Sequence, residues 1–245
     1  MKLENKVAIV TGSASGMGLE EAELFAREGA RVVIADVNKE AGEKVAADIK
    51  SAGGEATFIE VNMREAASVQ ALVDATIAAY GKLDIVVNNA GIFDKYATIL
   101  ETDESQWDLI LDVNLKGIYL MAKAALPPMI EQGGGTFVNI ASVAGLVAAK
   151  GGAAYTASKH GVIGLTKHMV SAYAKDGIRT NAIAPGTIVT PLIKDVVANI
   201  PTDPVPMRRF GQPSEVAELA VFLASEEAQF MNGAIIPIDG GFTLQ

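Results

Sequence analysis

Tyr155 and Lys159 stand four residues apart within GGAAYTASKHGVIGLTKHMV, the stretch from Gly151 to Val170. The pattern reads as a helix, and four residues is about one turn, so the phenol and the ammonium share a face. A free phenol titrates near ~10, and service as a base near neutral pH needs a drop of about 2–3 units, or ~3–4 kcal/mol. One cation ~5 Å away, at an effective dielectric of ~20, supplies about 3 kcal/mol. The pair therefore suits proton exchange with an alcohol or a carbonyl. The two histidines suit it less. At about 100° per residue, His160 lies roughly 140° around the helix from Tyr155, and His168 sits further along.

A second set of residues occurs in VTGSASGMG, where an apolar run hands over to a helical pattern. Gly12, Gly16 and Gly18 are spaced G-x-x-x-G-x-G, which is neither the G-x-G-x-x-G fingerprint nor an NTPase phosphate loop. The physical logic is shared: glycines let the backbone turn sharply and approach a diphosphate, whose charge helix N-terminal amides stabilise. Tight packing alone would also use such a turn. Asp36 ends the next apolar run, 18 residues after Gly18, near the ~20-residue offset at which an acid takes an adenosine ribose. A carboxylate accepts both ribose hydroxyls and repels a 2′-phosphate. Ser13, Ala14 and Ser15 are uncharged and no arginine follows Asp36, so these residues favour NAD over NADP. The positive ring of an oxidised nicotinamide would reinforce Lys159 in acidifying the phenol.

The elements that must position these groups follow a regular alternation. KVAIVTG, RVVIADV and EATFIEV read as buried parallel strands, with GLEEAELFAREGA and NKEAGEKVAADIKSAGG as the helices between them. LDIVVNNAG is a fourth strand, followed by a helical region from about Ser105 that is expected to stop near Pro127 and Pro128. GGTFVNIAS, IRTNAIAPG and GAIIPIDGG supply three more strands, with PSEVAELAVFLAS as a helix before the last. Strand–helix alternation of this kind gives an α/β fold of the Rossmann type, a doubly wound seven-stranded parallel sheet in a single domain over residues 1–245. The irregular, proline-rich segment at about 187–212 is a candidate substrate lid.

Composition narrows the partners. A net charge of −9 in 245 residues argues against nucleic acid or an anionic membrane. No apolar window approaches the ~18 residues of a membrane span. The chain has no cysteine, which rules out disulfides and fits a reducing cytosol. No spaced cluster of histidines or carboxylates suggests a metal.

The ordered set TGSASGMG, Asp36, NNAG at Asn88 to Gly91, Asn114 in DVNLKG, Ser142 in NIASVAG, YTASK, and PGTIVT from Pro185 resembles the short-chain dehydrogenase/reductase family over essentially the whole chain. The resemblance implies Tyr155 as general acid/base and Ser142 as the group that holds the substrate oxygen. Lys159 would lower the tyrosine pKa and bind the nicotinamide ribose, and Asn114, interrupting a helix, would hold a water of a proton relay. It places Gly12, Ser15, Gly16, Met17 and Gly18 toward the phosphates and ribose, Asn89, Ala90 and Gly91 along the adenosine ribose, and Pro185, Gly186, Ile188 and Thr190 toward the nicotinamide. Where the third strand ends, the family commonly has Asp at the adenine; here Asn62 stands, followed by Met63, and an amide still offers a donor and an acceptor. Met231 and Asn232 stand where the family often has a threonine.

The implied activity is reversible hydride transfer between NAD(H) and a secondary alcohol or ketone, a small-molecule substrate, in a cytoplasmic homotetramer. A 3-oxoacyl-thioester reductase acting on acyl-carrier protein fits the acidic chain and Asp36 poorly. A non-catalytic dinucleotide sensor would have no need of Ser142, Tyr155 and Lys159 together. Phe93, Val143 and Leu192 suggest apolar walls for the substrate.

Overall fold

The computed structural model describes residues 1–148 and 150–244. Seven strands, β1 (Val7–Thr11), β2 (Arg31–Asp36), β3 (Glu55–Glu60), β4 (Ile85–Asn88), β5 (Gly135–Ile140), β6 (Ile178–Pro185) and β7 (Ile235–Ile238), form one sheet. Every neighbouring pair is parallel, in the order β3-β2-β1-β4-β5-β6-β7. β1 to β4 are expected strands in their expected places. Their continuous apolar runs are explained by burial on both faces.

Alternate residues serve opposite layers. Ala8 and Val10 of β1 face one cluster with Phe25 of α1 (Gly16–Arg27), Val45 of α2 (Lys39–Ser51) and Val216 of α7 (Pro213–Ala224). Ile9 faces the other, with Leu72 of α3 (Ala66–Tyr80), Met121 of α5 (Gly117–Glu131) and Met169 of α6 (Ala153–Tyr173). Chain order reverses between β1 and β4, so the loops after these strands diverge to opposite faces and leave a crevice at their C-terminal ends.

The helical region after β4 departs from expectation at its end. α4 (Glu104–Leu111) opens on Asp103, whose carboxylate accepts from Gln106 N at 2.8 Å. A π-helical turn over Asp112–Lys116 joins it to α5, which runs through Pro127 and Pro128 to Glu131. Proline's fixed φ is itself helical, so the helix continues past both residues although each removes a ladder donor. The helix ends one turn later, where Gln132 N donates to Pro128 O and Gly133 and Gly134 take positive φ.

Among the described residues no helix is long and apolar enough to cross a membrane.

Candidate active site

A cleft of about 710 Å³ opens at the C-terminal ends of the strands, within the size range of small-molecule sites. Its floor begins at the glycine turn. Gly12 (φ +65°) lies so close to the next loop that a Cβ there would meet Ala90 Cα at 2.8 Å, and Gly16 has φ +60°. Asn89 fixes the turn from β4: its Nδ2 donates to Thr11 O at 2.9 Å and Gly12 O at 3.2 Å. Gly18, expected at the cofactor, stands one layer behind the cleft wall, where a Cβ would collide with Asn89 Nδ2 and Gly12 O. Its lack of a side chain permits the helix-to-loop packing that holds the turn.

Asp36 faces the same end of the cleft. Its Oδ2 accepts from Ala14 N at 3.0 Å and its Oδ1 from Asn38 N at 2.9 Å, so the acid also braces the glycine turn. Met63 and Asn62 line the wall nearby. The Asn62 amide is partly committed within its own turn, with Nδ2 donating to Glu65 Oε1 at 2.7 Å and Oδ1 accepting from Arg64 N at 3.1 Å. One hydrogen and one lone pair remain for an adenine edge.

The other end gathers Ser142, Tyr155 and Lys159 on the cleft wall. Ser142 follows β5, and its hydroxyl accepts from Ala144 N at 3.1 Å. Tyr155 and Lys159 project from the first turns of α6, with Lys159 Nζ 5.5 Å from the centre of the Tyr155 ring. Lys159 is buried and donates to the Ile140 carbonyl at 2.7 Å. Burial pulls its ammonium down to about 8.

The phenol does not titrate as expected from Lys159 alone. Burial pushes Tyr155 up to about 12, the Ser142 hydroxyl draws it down, and Asp94 and Tyr96 push it up again. Burial of the phenol is the largest of these effects.

Asn114 lies behind the wall in the π-helical turn. Its Oδ1 accepts from Ile92 N at 2.8 Å and its Nδ2 donates to Ile92 O at 2.9 Å and Ser158 Oγ at 3.2 Å. Gly91 fits between it and Lys159, within 3.4 Å of Asn114 Oδ1 and 3.8 Å of Lys159 Nζ for an added Cβ. The amide thus joins the loop after β4 to α6.

Ser15, Gly16, Met17, Ala90, Pro185, Gly186, Ile188 and Thr190 all line the cleft, as do Phe93, Val143 and Leu192. The segment from Thr187 leaves and returns at one place, because Gly211 N donates to Thr187 O and Val189 N to Gly211 O, each at 3.0 Å. His160 is exposed and its Nδ1 lies 2.9 Å from Thr156 O. Among the described residues no acid or histidine cluster could hold a metal.

Three further residues shape this end of the site, and sequence reasoning names only Phe93 among them, as an apolar wall. Asp94, buried, accepts from Gly152 N at 2.8 Å and Tyr155 N at 2.9 Å and so anchors the start of α6. Phe93 packs edge-on against both Tyr155 and Tyr96, with 5.0 Å between centroids. Lys150 lines the cleft beside them; its charge in an otherwise neutral loop was the available clue.

Comparison with known proteins agrees with this arrangement. Residues 12–243 match the profile of a family described as enoyl-(acyl carrier protein) reductase. A 3-oxoacyl-[acyl-carrier-protein] reductase of Thermotoga maritima is 38% identical, covering 100% of both chains. A cyclohexanol dehydrogenase of an Acinetobacter species is 39% identical over 99% of this chain and 96% of its own. The crystal structure of levodione reductase superposes with a TM-score of 0.93 at 34% identity, covering 99% of each chain. With the sheet order, the glycine turn and the Ser142–Tyr155–Lys159 group in one cleft, these matches place the chain in the short-chain dehydrogenase/reductase family of nicotinamide-dependent oxidoreductases.

Proposed function

We propose that this chain is an NAD(H)-dependent dehydrogenase that interconverts a secondary alcohol and its ketone. The observation that carries the reading is a single cleft lined by Asp36 at one end and by Ser142, Tyr155 and Lys159 at the other. A dinucleotide fits the residues present: Gly12 and Gly16 offer bare backbone at the turn, and Asp36 offers a ribose acceptor. When bound, the nicotinamide supplies the hydride acceptor for oxidation and the donor for reduction.

The chain's own residues handle the proton. Ser142 holds the substrate oxygen, and Tyr155 takes the alcohol proton as the phenolate in oxidation and, as the phenol, gives a proton to the ketone oxygen in reduction. Lys159 holds the nicotinamide ribose and, when protonated, favours the phenolate. Asn114 anchors the route by which Lys159 exchanges protons with solvent. The segment at about 187–212, joined at its base by Ile188 and Gly211, acts as the substrate lid and excludes water when it closes. The exposed Trp107, Leu109 and Tyr119 on α4 and α5 suit burial against further copies in a cytoplasmic homotetramer.

The similarity to a cyclohexanol dehydrogenase supports a ring alcohol, and the similarity to the Thermotoga reductase supports a 3-oxoacyl thioester. The acidic chain and Asp36 favour the former. Purified protein with NAD⁺ and a panel headed by cyclohexanol, and with NADPH and a 3-oxoacyl-acyl-carrier-protein, separates the two. NADH formation that Tyr155→Phe abolishes, with NAD⁺ binding retained, is the expected result. Turnover confined to the thioester would transfer the assignment to the reductase. Binding without turnover on either would make the protein a dinucleotide sensor.

A further inference from the structure

Between Ser142 and Tyr155 the chain reads SVAGLVAAKGGAAY, and Lys150 is its one charged residue. The side chain is half-buried and lines the same cleft as Ser142 and Tyr155. Its Nζ lies 3.8 Å from the centre of the Phe242 ring. Phe242 opens the C-terminal turn over Phe242–Leu244. The acid of that turn, Asp239, is already engaged by Gly241 N, Thr243 N and Thr243 Oγ1 at 2.7–2.9 Å.

Among the described residues Lys150 has no carboxylate within 4.0 Å, the ion pairs all lying elsewhere. The cleft's other cations have partners: Arg64 lies 3.4 Å from Asp112, and Lys159 donates to Ile140 O. An aromatic face replaces some of the water around an ammonium but supplies no counter-charge. Partial burial accordingly pulls Lys150 below its usual value. In a chain with 29 acids against 20 bases, a half-dry cation with no carboxylate of the described residues beside it, on the wall of the cleft that holds the reacting groups, suits an anionic partner.

We propose that Lys150 recognises a carboxylate on the substrate, so that the preferred alcohols and ketones are hydroxy acids and oxo acids with the acid group remote from the reacting carbon. The proposal rests on the dehydrogenase reading above. Phe242 holds the ammonium against its ring face, and the carboxylate completes a charge-assisted pair in partly desolvated surroundings.

Three substrates test it: 4-hydroxycyclohexanecarboxylate, its methyl ester and cyclohexanol, each with NAD⁺. A charge-assisted contact of this kind gives a preference of about tenfold or more in kcat/KM for the acid over the ester. Lys150→Met should erase that preference through KM while leaving ester turnover within about twofold, and Lys150→Arg should keep most of it. A lysine that served only to tie down the C-terminal turn would shift the melting temperature and leave the acid-to-ester ratio alone, which would overturn the proposal. Calorimetry with cyclohexanecarboxylate, which cannot react, provides the independent arm. Binding to the wild-type protein that Lys150→Met weakens about tenfold sustains the anion site even if no alcohol turns over, whereas equal binding removes it.

Discussion

Lys159 donates its ammonium to the Ile140 carbonyl at 2.7 Å while lying 5.5 Å from the centre of the Tyr155 ring. The same lysine is thus held by a backbone oxygen and presented to a phenol. Its buried ammonium is pulled from 10.5 down to about 8, so below pH 8 the fold carries a charge it would rather lose. Keeping that charge at pH 7 costs about 3 kcal/mol, and the penalty fades as pH rises from 8 toward 10.5. Lys159→Met forfeits one hydrogen bond of about 1 kcal/mol but removes the penalty. It should be more stable than the parent by about 2 kcal/mol in urea at pH 7, with the gain shrinking at pH 10. Any residual oxidation should need a higher pH, because the phenol loses its cation. An acidic limb that stays in place would remove Lys159 from control of Tyr155.

Asp36 has two duties that a single substitution can part. Its carboxylate accepts from Ala14 N and Asn38 N, at 3.0 and 2.9 Å, and it faces the cleft where a ribose would lie. Asp36→Ala removes both the charge and the brace, so it should relax cofactor choice and also weaken binding of either dinucleotide. Asp36→Asn keeps an acceptor and removes the charge. The ratio of kcat/KM for NADP⁺ over NAD⁺ should rise about tenfold in Asp36→Asn, from lost repulsion of the 2′-phosphate alone. An unchanged ratio in both variants would place the ribose elsewhere.

Much of this architecture is visible in residue order because its causes are local. An apolar run such as VAIVT can only be buried on both faces, and a glycine turn after it commits the chain to a helix. Pro127 and Pro128 mislead because proline's φ suits a helix even where its missing donor suggests an end. The site is legible where one residue type has one use, as with Tyr155 beside Lys159. It is less so where partners come from distant segments: Asp94 reaches Tyr155 N across 61 residues, and no periodicity marks that contact. The phenol's upward shift is illegible for a related reason. It depends on burial of the ring, against which Phe93 packs edge-on, a property of packing and not of spacing.

Glu21 shows what the fold tolerates away from the cleft. It is fully buried on α1, the helix that packs against α7, and neither carboxylate oxygen has a hydrogen-bond partner among the described residues. Burial pushes it from 4.5 up to about 8. A raised carboxyl penalises the folded state as pH climbs from 4.5 to 8, since the unfolded chain ionises freely. The cost at pH 7 is about 3 kcal/mol. Glu21→Met should therefore stabilise the protein by about that much at pH 7 and by clearly less at pH 4.5. Urea midpoints at the two pH values give the comparison. A gain that is the same at both would mean that the parent carboxyl is not titrating in the interior.

Asn114 offers the sharpest separation between support and catalysis. Its amide satisfies both the N–H and the C=O of Ile92, at 2.8 and 2.9 Å, and reaches Ser158 Oγ at 3.2 Å. Ser158 in turn donates to Tyr155 O at 2.7 Å. The π-helical turn, closed by Gly117 N donating to Asp112 O, swings this side chain out of the α4–α5 ladder toward the loop after β4. Asn114→Ala leaves two backbone groups of Ile92 unpaired and should cost about 2–4 kcal/mol of stability. If Asn114 also anchors the proton route from Lys159, kcat should fall by more than tenfold while the dissociation constant for NAD⁺ moves less than threefold. Asn114→Asp keeps the acceptor for Ile92 N but cannot donate to Ile92 O, so it should recover part of the stability. A variant that is merely less stable, with kcat intact at a temperature where it is folded, would confine Asn114 to holding the loop.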